Sequence, residues 1–230
     1  TRLYFEANDG QDGSELWAHE STNDSTWQVS DTNSGSGAGS ANSITAMGTR
    51  LYFSANDGSY GYELWAHETT NDSTWRMTDI YSGAASASPA DITIVGTRLY
   101  FKANGGSTGT ELWAYETTND STWQVTDAAC SSGSYAGYWS QGFALIGDRL
   151  FFSAGECLQG NQELWVHDIS SDETWQVSDI WPGSSGSWGS GIGMTFPNQL
   201  LVVGDRLFFW ADDGVTSAEL WVVEIEHTIT

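Results

Sequence analysis

A fivefold internal repeat constrains the fold of this chain more than any other feature of its sequence. The triplet Glu-Leu-Trp occurs at spacings of 48, 48, 52 and 56 residues and begins at Glu15, Glu63, Glu111, Glu163 and Glu219. An Arg-Leu-(Tyr/Phe)-Phe motif precedes each triplet and begins at Arg2, Arg50, Arg98, Arg149 and Arg206. Repeats of this length are typical of propellers and other arrays, in which each copy forms one supersecondary unit.

Each repeat predicts four short strands, which we call A, B, C and D in chain order. Strand A is a short apolar stretch such as residues 92–95, and a Gly-Thr or Gly-Asp pair then predicts a two-residue hairpin turn. Strand B carries the Arg-Leu-(Tyr/Phe)-Phe motif, and strand C carries Glu-Leu-Trp. Both have consecutive apolar residues, which indicates that both faces are covered. Strand D, with Trp75 and Met77 on one side, alternates like a half-buried strand.

These strands predict an all-β fold, a single β-propeller domain of about five four-stranded antiparallel blades. The five repeats cover residues 1–48, 49–96, 97–147, 148–204 and 205–230. Both end blades are predicted to be incomplete, because the first repeat has no strand A and the last has no Thr-Trp-Gln-Val strand. Residues 228–230 would supply the outer strand of the last blade, or would join the first blade and close the ring. A third interpretation is that the chain is part of a longer repeat array.

Charge and hydropathy exclude several classes of partner. The chain has 30 acidic and 7 basic side chains among 230 residues, a formal net charge of -23. This balance argues against nucleic acid, whose phosphates require clustered Lys and Arg, and against an anionic lipid surface. No apolar run reaches the roughly 18 residues that a membrane span needs. The sequence therefore predicts a protein that neither binds nucleic acid nor inserts into a membrane.

The second repeat carries a resemblance to a known family. Its run Glu63-Leu64-Trp65-Ala66-His67-Glu68-Thr69-Thr70, followed by Thr74, Met77 and Asp79-Ile80, resembles the ELWxxDGT repeat of bacterial and archaeal surface proteins. The resemblance covers essentially the whole chain, repeat by repeat. It departs at the Asp-Gly pair of the family, where this chain has Glu20-Ser21, Glu68-Thr69 and Glu116-Thr117. It implies a β-propeller-like protein that is secreted or attached to the cell surface, and it implies no catalytic residue.

Aromatic residues in the loops predict a ligand-binding face. In a propeller blade the B–C loop and the D–A connection emerge at one end, and loops on a rigid scaffold concentrate binding residues. The aromatic residues expected at this end are Tyr60, Tyr62, Tyr135, Tyr138, Trp139, Trp181 and Trp188. Aromatic rings offer sugars an apolar face, and nearby polar groups bind the hydroxyls. The alternative is that these rings pack the longer connections against the scaffold.

Other motifs suggest modification or structural roles. Cys130 and Cys157 are expected at the same end of adjacent blades, where a disulfide would close a loop of about 28 residues and indicate an oxidising compartment. N-glycosylation sequons recur in the C–D hairpins at Asn23, Asn71 and Asn119. The Asn-Asp turn chemistry alone also explains that pattern.

Metal and catalytic sites are not predicted. Loops such as Asn56-Asp57-Gly58 offer oxygen atoms to calcium, but their spacing favours Asx turns, so we expect no cofactor. His19, His67 and His167 share one repeat position with Tyr115, which favours packing over metal binding. The acid Glu156 breaks the repeat symmetry, but nothing pairs it with a nucleophile or base.

The sequence therefore predicts a non-enzymatic, extracellular or cell-surface binding module whose partner is a glycan or another cell-surface ligand. The alternative is a structural or adhesive surface protein, or a filament subunit, that self-associates through its incomplete end blades. The two predictions differ in where the functional surface lies, at the loop end of the blades or on the outer faces of the end blades.

Overall fold

The computed structural model describes residues 1–35, 37–107, 109–126, 142–155, 162–180, 198–213, 215 and 218–225. Throughout these ranges all regular secondary structure is β, and the strands form five sheets in which each strand pairs with its neighbour in sequence. This confirms the predicted fold class, and within the described ranges the first and last sheets have three strands each.

The five sheets follow one another along the chain. The first sheet contains β1 (Arg2–Asn8), β2 (Ser14–Glu20) and β3 (Ser25–Gln28). The second contains β4 (Asn42–Met47), β5 (Arg50–Asn56), β6 (Tyr62–Glu68) and β7 (Ser73–Arg76). The third contains β8 (Ala90–Val95), β9 (Arg98–Asn104), β10 (Thr110–Glu116) and β11 (Ser121–Gln124).

The last two sheets have the same antiparallel order. The fourth sheet contains β12 (Ala144–Ile146), β13 (Arg149–Gly155), β14 (Gln162–Asp168) and β15 (Glu173–Gln176). The fifth contains β16 (Asn198–Val203), β17 (Arg206–Asp212) and β18 (Ala218–Glu224). Among the described strands, the first sheet has no strand in position A and the fifth has none in position D.

The A–B hairpins explain how sequence repeats relate to sheets. In the second sheet Met47 pairs with Arg50, so Gly48 and Thr49 form the predicted two-residue turn. Gly48 has a φ of 61°, a left-handed conformation that glycine adopts without steric cost. Strand A at the end of one repeat thus pairs with strand B of the next repeat and belongs to the same sheet as that strand B. A sheet is therefore shifted by one strand from the repeats counted from residue 1.

The chain divides into two compact units. Unit 1 comprises Thr1–Gly106 and Leu112–Gln124, and unit 2 comprises Ser107–Glu111 and Val125–Thr230. The single-domain organisation inferred from the sequence stays a prediction.

In unit 1 the second sheet is covered on both faces. Leu51, Phe53 and Ala55 of β5 share a buried cluster with Leu16 of the first sheet. The alternate residue Tyr52 shares another cluster with Leu99, Phe101 and Ala103 of β9, to which Leu64 and Ala66 also belong. Successive side chains of a strand point to opposite faces, so strand B is buried on both sides, as its apolar run predicts.

Unit 2 packs its fourth and fifth sheets in the same way. Phe151 of β13 and Leu164 and Val166 of β14 form one cluster with Leu207 and Phe209 of β17. Only one face of the fifth sheet takes part in this cluster. Its opposite face carries exposed apolar side chains, namely Leu201, Val203, Trp210, Leu220 and Val222.

Candidate functional site

Two of the seven aromatic residues predicted to bind a ligand fall within the described residues, Tyr60 and Tyr62. The other five lie outside them, as do both cysteines of the predicted disulfide: Tyr135, Tyr138, Trp139, Trp181, Trp188, Cys130 and Cys157. Residues 228–230, for which two roles were open, also lie outside them. The candidate site is therefore built at the loop end of the second sheet, meaning its B–C loop and the D–A connection that follows it.

Tyr60 is held in a fixed and exposed position in the loop between β5 and β6. The Asp57 carboxylate accepts hydrogen bonds from the backbone N–H groups of Ser59 and Tyr60, both at 2.8 Å. The Arg76 guanidinium lies against the Tyr60 ring, with Cζ 3.4 Å from the ring centroid. The residue is nevertheless 39% exposed. Loop and guanidinium together present an aromatic surface to solvent.

Tyr62 has a different position, at the start of β6, where it is half-buried. Its backbone N–H donates to the Ser86 hydroxyl at 3.1 Å, and its carbonyl accepts from the Ser88 N–H at 3.0 Å. Tyr62 therefore joins strand C to the D–A connection of its own sheet, so its backbone has a structural role.

Tyr81, which was not predicted as a site residue, is a second exposed aromatic at this end of unit 1. Its ring lies so close to Gly106 that a Cβ atom there would be 2.9 Å from it. Gly106 also has a φ of 87°, which L-residues with side chains rarely adopt. The equivalent residue of the first repeat is Asn33. Because the aromatic residue does not recur at this position, the repeat pattern did not indicate Tyr81 as a site residue.

A buried glutamate fixes the D–A connection of the second sheet. Glu63, the first residue of Glu-Leu-Trp, is fully buried. Its carboxylate accepts hydrogen bonds from the Thr78 hydroxyl at 2.8 Å and from the N–H groups of Ile80 at 3.0 Å and Tyr81 at 3.3 Å. Burial raises the pKa of Glu63, and these three donors oppose that effect. The glutamate thus positions Tyr81 and the loop end.

The same interaction recurs in other repeats. Glu15 accepts hydrogen bonds from the N–H groups of Thr32 and Gly39, both at 2.8 Å. Glu163 accepts one from the Ile180 N–H at 2.8 Å, whereas Glu219 in the fifth sheet is exposed. The recurrence of Glu before a buried Leu was visible in the sequence, but nothing there showed that its carboxylate is buried.

The arginines that open strand B are structural. Each pairs with an acid at the end of strand C: Arg2 with Glu20, Arg50 with Glu68, Arg98 with Glu116, Arg149 with Asp168 and Arg206 with Glu224. Four of them also lie over the strand D tryptophan of their own sheet at 5.4–6.0 Å, namely Arg2, Arg50, Arg98 and Arg149. The arginine of each strand B therefore forms its ion pair within its own sheet.

The repeated histidines pack within their sheets, as the sequence predicts. His67 is fully buried, and its Nδ1 lies 2.9 Å from the Thr74 hydroxyl. His19 and His167 make the same contact with Thr26 and Thr174. In the third repeat the Tyr115 hydroxyl donates to Asp120 instead. Burial lowers the pKa of His67, an effect that Asp72 opposes.

The His67 environment predicts a pH-dependent stability. Because its pKa is lower in the folded protein, the unfolded chain binds a proton more readily. Stability from neutral His67 is complete above the unfolded pKa of about 6.5, begins to be lost as the pH falls below that value, and continues to be lost as the pH falls through the lower pKa of the folded protein. We expect the melting temperature to fall between pH 7.5 and 5.5. The fall should be smaller in His67→Tyr, which introduces the residue of the third repeat; an equal fall in both proteins would contradict this assignment.

The Asn-Asp-Gly loops form the expected Asx turns. The Asn56 side chain accepts a hydrogen bond from the Gly58 N–H at 2.7 Å, and Asn8 and Asn104 accept equivalent bonds from Gly10 and Gly106. No group of three His, Cys, Asp or Glu side chains within the described ranges could hold a metal ion.

The predicted glycosylation sites lie in the C–D hairpins. In the second sheet the Asn71 side chain accepts hydrogen bonds from the Ser73 N–H at 3.1 Å and its hydroxyl at 2.6 Å. Asn23 and Asn119 make the same pair of bonds. The hairpin chemistry is therefore present, and modification of these residues stays a prediction.

Comparison with known proteins identifies the fold. No family model matches the chain, and no curated protein matches its sequence. TolB from Acinetobacter baumannii is similar in structure, with 14% identity and a TM-score of 0.51 over 95% of this chain and 53% of TolB. A puromycin hydrolase, at 16% identity, has a TM-score of 0.57 over 97% of this chain and 34% of the hydrolase.

A further similar structure is a puromycin-hydrolyzing peptidase from Mycobacterium tuberculosis, with 14% identity and a TM-score of 0.54 over 97% of this chain and 34% of the peptidase. The chain thus spans about half the length of TolB and about a third of the peptidases. Such identities show the fold alone, so these proteins do not show that this chain is catalytic. The five antiparallel sheets and these neighbours place the chain in the β-propeller class. None of the described residues forms a helix long and apolar enough to cross a membrane.

Proposed function

We propose that this protein is a non-catalytic carbohydrate-binding module that acts outside the cell or at its surface. The observation that supports it is the Tyr60 ring, which is exposed although both its loop and its neighbour Arg76 hold it in place. An exposed aromatic group fixed in this way loses little conformational entropy when a ligand binds. The extracellular setting rests on the resemblance to surface-protein repeats.

The loop end also has the polar groups that sugar recognition needs. Ser59 and Asp57 flank Tyr60, and Tyr81 adds a second exposed aromatic at the same end of unit 1. Apolar C–H faces of a sugar ring stack on aromatic rings, and its hydroxyl groups bind polar side chains and backbone. Buried Glu63 fixes the backbone of Tyr81, so the site is formed before the ligand arrives.

Substitution of Tyr60 tests this function. We expect Tyr60→Ala to weaken binding of an oligosaccharide identified by screening by roughly fivefold to tenfold, because the stacking contact is lost. Tyr60→Phe should retain most of the affinity, and isothermal titration calorimetry measures both. Trp175→Ala, which removes a similarly exposed aromatic from β15, is the control. Unchanged affinity in Tyr60→Ala would place the binding surface elsewhere.

A second candidate function is self-assembly through the end sheets. The exposed face of the fifth sheet favours it: Leu220 is 59% exposed, whereas its repeat equivalent Leu64 is completely buried. In unit 1 the face that holds Leu64 is covered by Phe101 and Ala103 of the following sheet. The partner that fits the fifth sheet is therefore another sheet of this repeat. We propose the first sheet of a second copy, whose Leu3 is 62% exposed.

A further inference from the structure

Arg76 differs from every other cationic side chain of this protein. The sequence contains 7 Lys and Arg against 30 Asp and Glu. Six of the seven cations pair with a carboxylate, namely the five arginines of strand B and Lys102, which pairs with Asp91. Arg76 makes no ion pair with any acid in the described part of the chain. An arginine that has no carboxylate partner among the described residues is a candidate to pair with the carboxylate of a ligand.

The position of Arg76 also breaks the internal symmetry. Strand D has a glutamine at the equivalent position of the other repeats, which are Gln28, Gln124 and Gln176. The Gln28 side chain donates to the carbonyl of Ser30 at 3.0 Å, and Gln176 donates to the carbonyl of Ser178. Arg76 Nη1, in contrast, is buried and has no hydrogen-bond partner among the described residues. The substitution thus removes a structural contact and introduces an unsatisfied charged donor.

The orientation of the guanidinium limits what it can bind. Its Cζ lies 3.4 Å from the Tyr60 ring centroid, so one guanidinium face rests against the ring. Because Nη1 is buried, a ligand would meet the edge that carries Nε and Nη2, and this planar edge matches the two oxygens of a carboxylate. An anionic ligand held there would lie beside the exposed part of Tyr60.

We propose that Arg76 and Tyr60 together bind an acidic oligosaccharide, an oligouronate, whose sugar ring stacks on Tyr60 while a carboxylate pairs with Arg76. This inference rests on the proposed carbohydrate-binding function and specifies its ligand class. It also explains how a chain with a net charge of -23 retains an anion. Pairing and stacking act at short range, whereas repulsion from acids more than about a Debye length away is screened by salt, and the Asp57 carboxylate in the same loop already accepts two backbone hydrogen bonds.

The test compares an oligogalacturonate with the same oligosaccharide after its carboxyl groups have been reduced to neutral alcohols. Arg76→Gln is the matched variant, because glutamine occupies this position in the other repeats. We expect the wild-type protein to bind the acidic form about tenfold to a hundredfold more tightly than the neutral form. Arg76→Gln should bind the two forms with equal affinity, because the preference for the acidic form depends on the guanidinium, and its melting curve should show that it remains folded.

Three results would overturn the inference, and they are distinguishable. If the wild-type protein binds both forms equally, or if Arg76→Gln retains the preference, the acidic ligand class is wrong while carbohydrate binding stands. If the wild-type protein binds neither form nor any other glycan screened, the proposed function fails, and the inference fails with it. Arg76→Lys, which keeps the charge but loses the planar edge, should recover only part of the preference.

Discussion

Replacing Glu63 by alanine is expected to lower the free energy of unfolding by about 2–4 kcal/mol. The buried carboxylate accepts three hydrogen bonds from the D–A connection, and hydrogen bonds to charged groups are stronger than neutral ones. Its removal leaves the N–H groups of Ile80 and Tyr81 without an acceptor. Glu63→Gln, which retains one acceptor oxygen, should lose less stability, and denaturant titration measures both variants.

The fifth sheet provides the matched control for this prediction. Glu219 occupies the same place in Glu-Leu-Trp but is exposed, so Glu219→Ala should change stability by no more than about 0.5 kcal/mol. A similar loss in both variants would show that the glutamate stabilises strand C itself rather than the D–A connection. A loss confined to Glu63→Ala should also weaken oligosaccharide binding, because Tyr81 and the loop end would be displaced.

The second large effect is expected at the exposed face of the fifth sheet. If this face binds the first sheet of a second copy, the weight-average mass should rise with protein concentration. Leu220→Glu places a charge on the apolar face, where burial without a partner is costly. We expect this variant to remain monomeric at concentrations where the wild-type protein associates. Sedimentation equilibrium measures the difference.

A control variant and a second test variant complete the assembly experiment. Val215→Glu changes an exposed residue of the B–C loop and should leave association unchanged. Leu3→Glu should reduce it as Leu220→Glu does, because each contact needs both surfaces. A wild-type protein that stays monomeric over the whole range, or association that survives Leu220→Glu, would contradict assembly through the end sheets.

The sequence predicted the architecture because the same pattern of apolar strand residues recurs in all five repeats. Consecutive apolar residues such as Leu51-Tyr52-Phe53, bounded by turn residues, favour a strand covered on both faces, and the structure buries all three. The Gly-Thr pairs predicted the A–B turns, since glycine there adopts positive φ. Local chemistry and burial pattern therefore agree, and together they determine the sheets.

The candidate site was less predictable, because it depends on contacts between segments distant in sequence. The Tyr60 ring was predicted, but its exposure depends on a loop conformation set by Asp57. Arg76 carried a usable signal, because arginine replaces a repeated glutamine there, yet its contact with Tyr60 spans 16 residues. Glu63 carried none, since a glutamate at the start of a strand is usually solvated.

The measurement that tests the central claim most directly is a glycan array probed with the wild-type protein and Tyr60→Ala, with calcium and again with EDTA. We predict saturable binding of acidic glycans that Tyr60→Ala weakens and EDTA leaves unchanged, because the Asn-Asp-Gly oxygens already accept backbone hydrogen bonds. A blank array in both conditions would contradict carbohydrate binding. It would leave assembly through the end sheets as the function that the structure favours.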